Sequence, residues 1–337
     1  MTEELPFWLH KHVASFDKEK MHHAFLISGR QGIGKSRLIS HLSLITFCSN
    51  TNSVICGECN SCKFSNLENH PDFHELQVLE NKKLVGISQI HELRHKLYES
   101  SFLGKNKVAS LTNIEKISMD GLNALLKILE EPPENTFFFL STSFLNQIPA
   151  TIQSRCIDID IITPKTDETL DWLSSYERSD AIKALQLNDN LPFSAREFLE
   201  KGMLEIRTNF VQDISGIIKE GKDLISVSDN WIKDESSLNI KLEWMSLILS
   251  DAVKFNADNS INQLNEDTDN ITRYLSSQCN MEKIHMLLSK TNSLWNLFCR
   301  ESNLRKDYQL NSLFVDWEKE LGILSLIHIS EPTRQWQ

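Results

Sequence analysis

The sequence predicts an α/β domain built on a parallel sheet, followed by a small helical region and a larger all-helical domain. Three observations predict it. Short β-rich runs alternate with amphipathic helical patterns through the first half of the chain, and this alternation ends at Thr163-Pro164. A glycine-rich loop also separates the first run from the first helix.

The elements follow in order. Residues 24–27 (AFLI) form the first strand-like run, and a helical pattern starts at Lys35. Residues 73–76 form the second run, followed by a helix over 87–98. Residues 108–111 form the third, followed by a helix near 120–129 whose Leu122, Leu125, Leu126 and Leu129 keep helical spacing and should face the sheet. Pro132 and Pro133 stop that helix. Runs at 136–140 and 157–162 complete the sheet, and after Thr163-Pro164 the pattern is helical. Stripes such as Phe210, Ile214, Ile217 and Ile218, and later Leu310, Leu313, Phe314 and Trp317, mark amphipathic helices that can pack internally or against partner helices. The polar stretch 256–270 predicts a loop between helices.

Composition narrows the function. At 337 residues the chain has room for about two or three domains. With 40% hydrophobic and 24% charged residues it reads as an ordinary globular protein. No apolar run approaches the roughly 20 residues that span a bilayer, and the start, MTEELPFWLHKHV, lacks a basic region followed by an apolar core. A cytoplasmic location is expected. The net charge of -11 opposes independent binding to a polyanion, so any DNA contact should be local or shared with partners.

Gly29-Arg30-Gln31-Gly32-Ile33-Gly34-Lys35-Ser36 matches G-x-x-x-x-G-K-S in the strand–loop–helix context that the motif requires. Gly29, Gly32 and Gly34 let backbone N–H groups close around phosphates, Lys35 can reach the outer phosphates, and Ser36 can ligate magnesium. Hydrolysis needs an acidic residue at the end of a second buried strand. The strand 108–111 ends instead in Thr112-Asn113, neither of which carries a charge, so the site is expected to hold ATP and magnesium without cleaving ATP. Glu115 is the next carboxylate, and its place past the strand end predicts a solvated loop face, with substitution for the missing acid as the alternative.

Seven cysteines without an export signal argue against a disulfide framework. Cys48, Cys56, Cys59 and Cys62 form C-x7-C-x2-C-x2-C, and four thiolates so spaced can close a structural tetrahedral zinc site with no open position; a redox pair and an iron–sulfur cluster are the alternatives, which no adjoining electron-transfer feature supports. His70 and His74 lie nearby as competing ligands, with packing histidines the plainer alternative. Cys156, Cys279 and Cys299 are isolated and predict core thiols.

The loop, the cysteine module after its helix, HPDFHEL (70–76), NALLKILEEPP (123–133) and SRC (154–156) together resemble the bacterial DNA polymerase III clamp-loader subunits of the AAA+ family. The similarity is close over residues 5–163 and weaker beyond. The gamma and tau motor subunits keep an acidic pair on the second strand, so its loss here resembles the member that is not a motor; the intact phosphate loop departs from some such members.

The resemblance implies an AAA+ RecA-like domain over 1–163 with a zinc module at 48–62, a helical lid over 164–202, and a collar over 203–324 that joins a pentameric ring. It implies delta and gamma/tau subunits as partners, and the loading of a sliding clamp on primed DNA within the polymerase III holoenzyme, a nucleotidyltransferase complex. By the same match Arg155 is an arginine finger reaching a neighbouring subunit's ATP, Thr142 takes the first sensor position and Arg196 the second. The plain alternative for Arg155 is a surface ion pair. Alternatives for the whole chain are an active motor subunit, which Thr112-Asn113 oppose, and a nucleotide kinase, which the long helical remainder and SRC oppose. Residues 325–337 resemble a translated cloning adaptor and carry no functional weight.

Overall fold

The β-rich runs do pair. In the computed structural model, which describes residues 5–16, 21–50, 55–64, 67–79, 82–103, 105–220, 222–257, 266–300 and 305–321, they form one five-stranded sheet. The strands are β1 (Ala24–Ser28), β2 (Phe73–Leu76), β3 (Lys107–Leu111), β4 (Thr136–Thr142) and β5 (Ile157–Asp160). Their order is β2-β3-β4-β1-β5, and all neighbours are parallel. This is the parallel sheet predicted from the alternation and implied by the AAA+ resemblance.

Both faces of the sheet are covered, because successive residues of a strand point to opposite sides. On β1, Ala24 and Leu26 join a core with α3 (Ile87–Tyr98) and α4 (Met119–Glu130), while Phe25 and Ile27 join a core with α1 (Phe7–Ala14) and α2 (Lys35–Phe47). The α4 stripe behaves as predicted: Leu122, Leu125 and Leu129 are buried in the first core, and Leu126 packs at its border. Ser118 starts this helix by accepting the Gly121 N–H at 3.2 Å.

The chain divides into two compact units, one comprising residues 1–181 with 188–197, the other 182–187 with 198–337. The sheet and its helices make up the first. The second is helical, with α9 (Met203–Glu220), α10 (Leu224–Lys233), α11 (Glu235–Ala257), α12 (Asp269–Gln278), α13 (Met281–Arg300) and α14 (Lys306–Leu321). Its core is aromatic. Phe210 contacts Trp231 at 5.5 Å and Trp244 at 5.4 Å between ring centroids, and Trp231 meets Phe314 edge-on at 5.3 Å. Leu310, Leu313, Phe314 and Trp317 are all buried within the chain, so this stripe packs internally.

Two expectations are corrected. The helix α11 runs to Ala257 and α12 begins at Asp269, which shortens the predicted loop at both ends; residues 258–265 lie outside the described residues. Cys299 is exposed on α13, whereas Cys279 is buried and Cys156 half-buried. Spacing along one helix does not give the angle at which a lone cysteine faces its neighbours. The tail at 325–337 is outside the described residues. No helix among those described is long and apolar enough to cross a membrane.

Candidate functional site

The ends of β1 and β4 lie side by side, with Ser28 in register with Thr142. The phosphate loop leaves this edge of the sheet and enters α2. Gly34 caps that helix in the left-handed region, at φ 106°, and a side chain there would strike the Phe193 ring. Gly32 is equally constrained: an added Cβ would lie 1.9 Å from Ser194 Oγ. Two outward loop carbonyls are tied down, Gly32 by the Phe193 N–H at 3.0 Å and Ile33 by the Trp8 indole N–H at 3.0 Å. The loop is therefore fixed from behind by α1 and by the start of α8 (Pro192–Glu200).

Lys35 is buried, and its ammonium donates to the carbonyls of Gly29 at 2.6 Å and Arg30 at 3.0 Å and to Ser143 Oγ at 2.9 Å. Burial lowers its pKa to about 8, against an upward pull from the Glu115 carboxylate. Ser36 is exposed on the first turn of α2. These residues fit a nucleotide polyphosphate. The glycine conformations, the helix N-terminus and a lysine at the loop's centre are the groups that phosphate binding uses.

Glu115 does not lie on a solvated face, which corrects the expectation from its sequence position. After β3 the backbone turns at Asn113, which is left-handed at φ 53°, and a short 3-10 turn follows (Ile114–Lys116). Glu115 Oε1 accepts the Ser143 N–H at 3.3 Å, while Oε2 is buried and has no hydrogen-bond partner. Ser143 is the residue of this site that sequence reasoning missed, and Glu115 is the one it weighed but placed on a solvated face. The available signal was Asn113, since asparagine tolerates the left-handed turn that brings Glu115 inward.

The expected sensors occupy different places. Thr142 is fully buried and accepts the Phe144 N–H at 3.0 Å, so Ser143, not Thr142, meets the Lys35 ammonium. Arg196 on α8 lies over the rings of Trp172 at 5.2 Å and Phe193 at 5.4 Å, part of the aromatic group behind the loop. Arg155 belongs to a separate network. It follows α5 (Ala150–Gln153), donates to the Thr151 carbonyl at 2.8 Å, and pairs with Glu130 at 2.5 Å, with its side chain about one-third exposed (34%).

The four predicted cysteines come together at the far end of α2. Cys48 directly follows the helix, and the sulfurs of Cys48, Cys56, Cys59 and Cys62 all lie within 4.8 Å of one another. A tetrahedral zinc site with bonds of about 2.3 Å has sulfur–sulfur edges of roughly 3.8 Å, so the set needs only a slight contraction. Backbone N–H groups already point at the sulfurs at 3.4 Å: Asn50 and Cys56 at Cys48, Cys59 at Cys56, and Cys62 at Cys59. Burial raises the Cys62 thiol to about 12, helped by its bond to Cys59. Burial also raises Cys59, but hydrogen bonds from Ser49 and Cys62 outweigh it and bring Cys59 down to about 6. The group can hold a metal ion. His70 and His74 are not part of it; His70 stacks on Phe47 at 3.8 Å and accepts the Asp72 N–H on Nδ1.

Comparison with known proteins gives the family of the chain. The family described as DNA polymerase III, delta subunit, matches residues 6–165, and its C-terminal counterpart matches 201–319. A DNA polymerase III subunit delta' from Buchnera aphidicola subsp. Schizaphis graminum is 30% identical over 317 residues, which cover 92% of this chain and 94% of that protein. The chain belongs to the DNA polymerase III delta prime family. The delta prime subunit of Escherichia coli K12 is 30% identical over 72% of this chain and 73% of its own. A tau/gamma subunit from Haemophilus influenzae matches at 30% over 52% of this chain and only 24% of its own length, so similarity to the delta prime family runs further along the chain than similarity to tau/gamma.

Proposed function

We propose that this chain acts in the DNA polymerase III clamp loader as a subunit that does not hydrolyse ATP itself and completes a neighbour's ATPase site. Membership of the delta prime family supports the place in the complex, with delta and gamma/tau subunits as partners and the sliding clamp and primed DNA reached through it. Thr112 and Asn113, which follow β3, leave the strand end without a carboxylate. The domain over 1–163 carries the sites, the lid spans 164–202, and the collar over 203–324 joins the ring in the cytoplasm.

The observation that carries the catalytic part is the position of Arg155. Its guanidinium is at the surface, held among the described residues by Glu130, Ser154 and a helix-end carbonyl. A planar, permanently charged guanidinium can exchange such a partner for the phosphate of a nucleotide on an adjoining subunit, where it stabilises the charge that develops during transfer. The cysteine module holds structural zinc, and the phosphate loop holds nucleotide with magnesium. The test is a reconstituted loader with Arg155→Ala. Assembly should be intact, hydrolysis at one motor site should fall, and clamp loading should fall with it; unchanged hydrolysis and loading would return Arg155 to the role of a surface ion pair.

A further inference from the structure

We propose that Glu115 holds the magnesium ion of a nucleotide bound at the phosphate loop, a position that β3 itself supplies with no acid. The inference rests on the reading of the loop as a nucleotide site. Its first support is the backbone path. The strand ends at Leu111, and Asn113 turns the chain in the left-handed region while its N–H is held by Ser141 Oγ at 3.3 Å. Ile114 is fully buried and anchors the 3-10 turn, so the next residue, Glu115, is fixed relative to the end of β4.

The second support is the relation of Glu115 to Lys35. Both bind Ser143, Glu115 at its backbone N–H and Lys35 at its hydroxyl, and they form no direct ion pair. A cation and an anion are thus held at one residue without neutralising each other directly. A phosphate with a divalent ion satisfies both, since Lys35 can take phosphate oxygens while the carboxylate takes the metal.

The third support is the buried Oε2. A carboxylate oxygen removed from water with no partner is costly, and its surroundings provide no donor for it. Magnesium is a hard cation that is typically bound through one or two carboxylates plus substrate phosphates and keeps several waters. One carboxylate, with Ser36 on the first turn of α2, meets that description only when phosphate is present. With Glu115 committed to the metal, Thr112 and Asn113 leave no second acid to activate water. Holding a metal nucleotide and not cleaving it are thus compatible in one site.

The experiment measures equilibrium binding of a fluorescent ADP analogue to the full chain, in magnesium and in EDTA. Wild type should bind more tightly in magnesium. Glu115→Gln should lose that gain, weakening binding in magnesium by roughly 10- to 100-fold, the size of effect seen when a supporting metal contact is removed, while leaving binding in EDTA unchanged. Lys35→Ala should weaken binding in both. Nucleotide binding by Glu115→Gln with the full magnesium gain overturns the proposal and leaves the nucleotide site standing; absence of binding by wild type in either buffer overturns both. Should thermal melting show Glu115→Gln to be unfolded, Glu115→Asp draws the carboxylate back by one methylene and should lose part of the gain, and a full gain in that variant also overturns the proposal.

Discussion

Arg155 grips Glu130 across 2.5 Å, joining the SRC segment to the last residue of α4 at the protein surface. Both side chains are partly open to water, so the pair is worth at most about 1 kcal/mol. Glu130→Ala should change the urea-unfolding free energy by less than that and leave Arg155 free to engage a neighbour. In a reconstituted loader its hydrolysis should match or exceed that of wild type, the opposite of Arg155→Ala. A loss equal to that of Arg155→Ala would show that the pair itself is what matters.

The purified chain should carry one zinc ion, measured by elemental analysis. Cys59→Ser removes one of four sulfurs and should abolish stoichiometric binding. Because thiolates bind the metal and thiols do not, zinc should be released as pH falls, with each proton competing for sulfur. A metal content independent of the Cys59 substitution would refute the assignment.

Lys35 should make nucleotide binding fall at alkaline pH. Burial puts its pKa at about 8 in the free protein, below the ordinary 10.5, so the ammonium is present at pH 7 and largely lost by pH 9. Affinity should be flat below about pH 8 and decline above it, by no more than about tenfold per unit for a single proton. The same lowered value means that the unfolded chain binds this proton more tightly, so the cost of burying Lys35 is complete below about 8 and recedes as pH rises towards 10.5. A binding curve unchanged from pH 7 to 9 would place the lysine outside the phosphate contact.

Phe210→Ala should destabilise the second unit by about 3–5 kcal/mol, because the ring is fully buried between Trp231 and Trp244. Tryptophan fluorescence during denaturant unfolding should report it directly, since both neighbours are indoles. Zinc content should not change.

How much of this was legible depended on whether the information was local. The strand β2 and the helix α3 have the predicted bounds because a two-residue period and a helical stripe each declare themselves within a few residues. The cysteines were legible for the same reason: their spacing allows one turn to gather them. Glu115 was not, because its direction is set by one left-handed residue, Asn113, and by a hydrogen bond to Ser141 from another strand. Ser143 was missed in favour of Thr142 because Thr142 ends β4 fully buried while Ser143, the first residue beyond the strand, meets Lys35, and where the strand ends is not declared by the local sequence. The pairing of Phe210 with Trp231 and Trp244 is likewise invisible in a stripe that shows only that a face is apolar.

The helix α2 begins at Lys35 and ends one residue before Cys48, so the lysine and the first thiol cap opposite ends of a single rod of 13 residues, about 20 Å long. The rod is anchored along its length, with Leu38, Ile39, Leu42, Ile45 and Phe47 all in the core. Disturbing the four thiols would fray the last turn, yet the anchors isolate the first. The module therefore behaves as a tassel on a fixed shaft: its length and sequence can drift over evolution, or be trimmed by an engineer, without retuning the grip on phosphate at the other end.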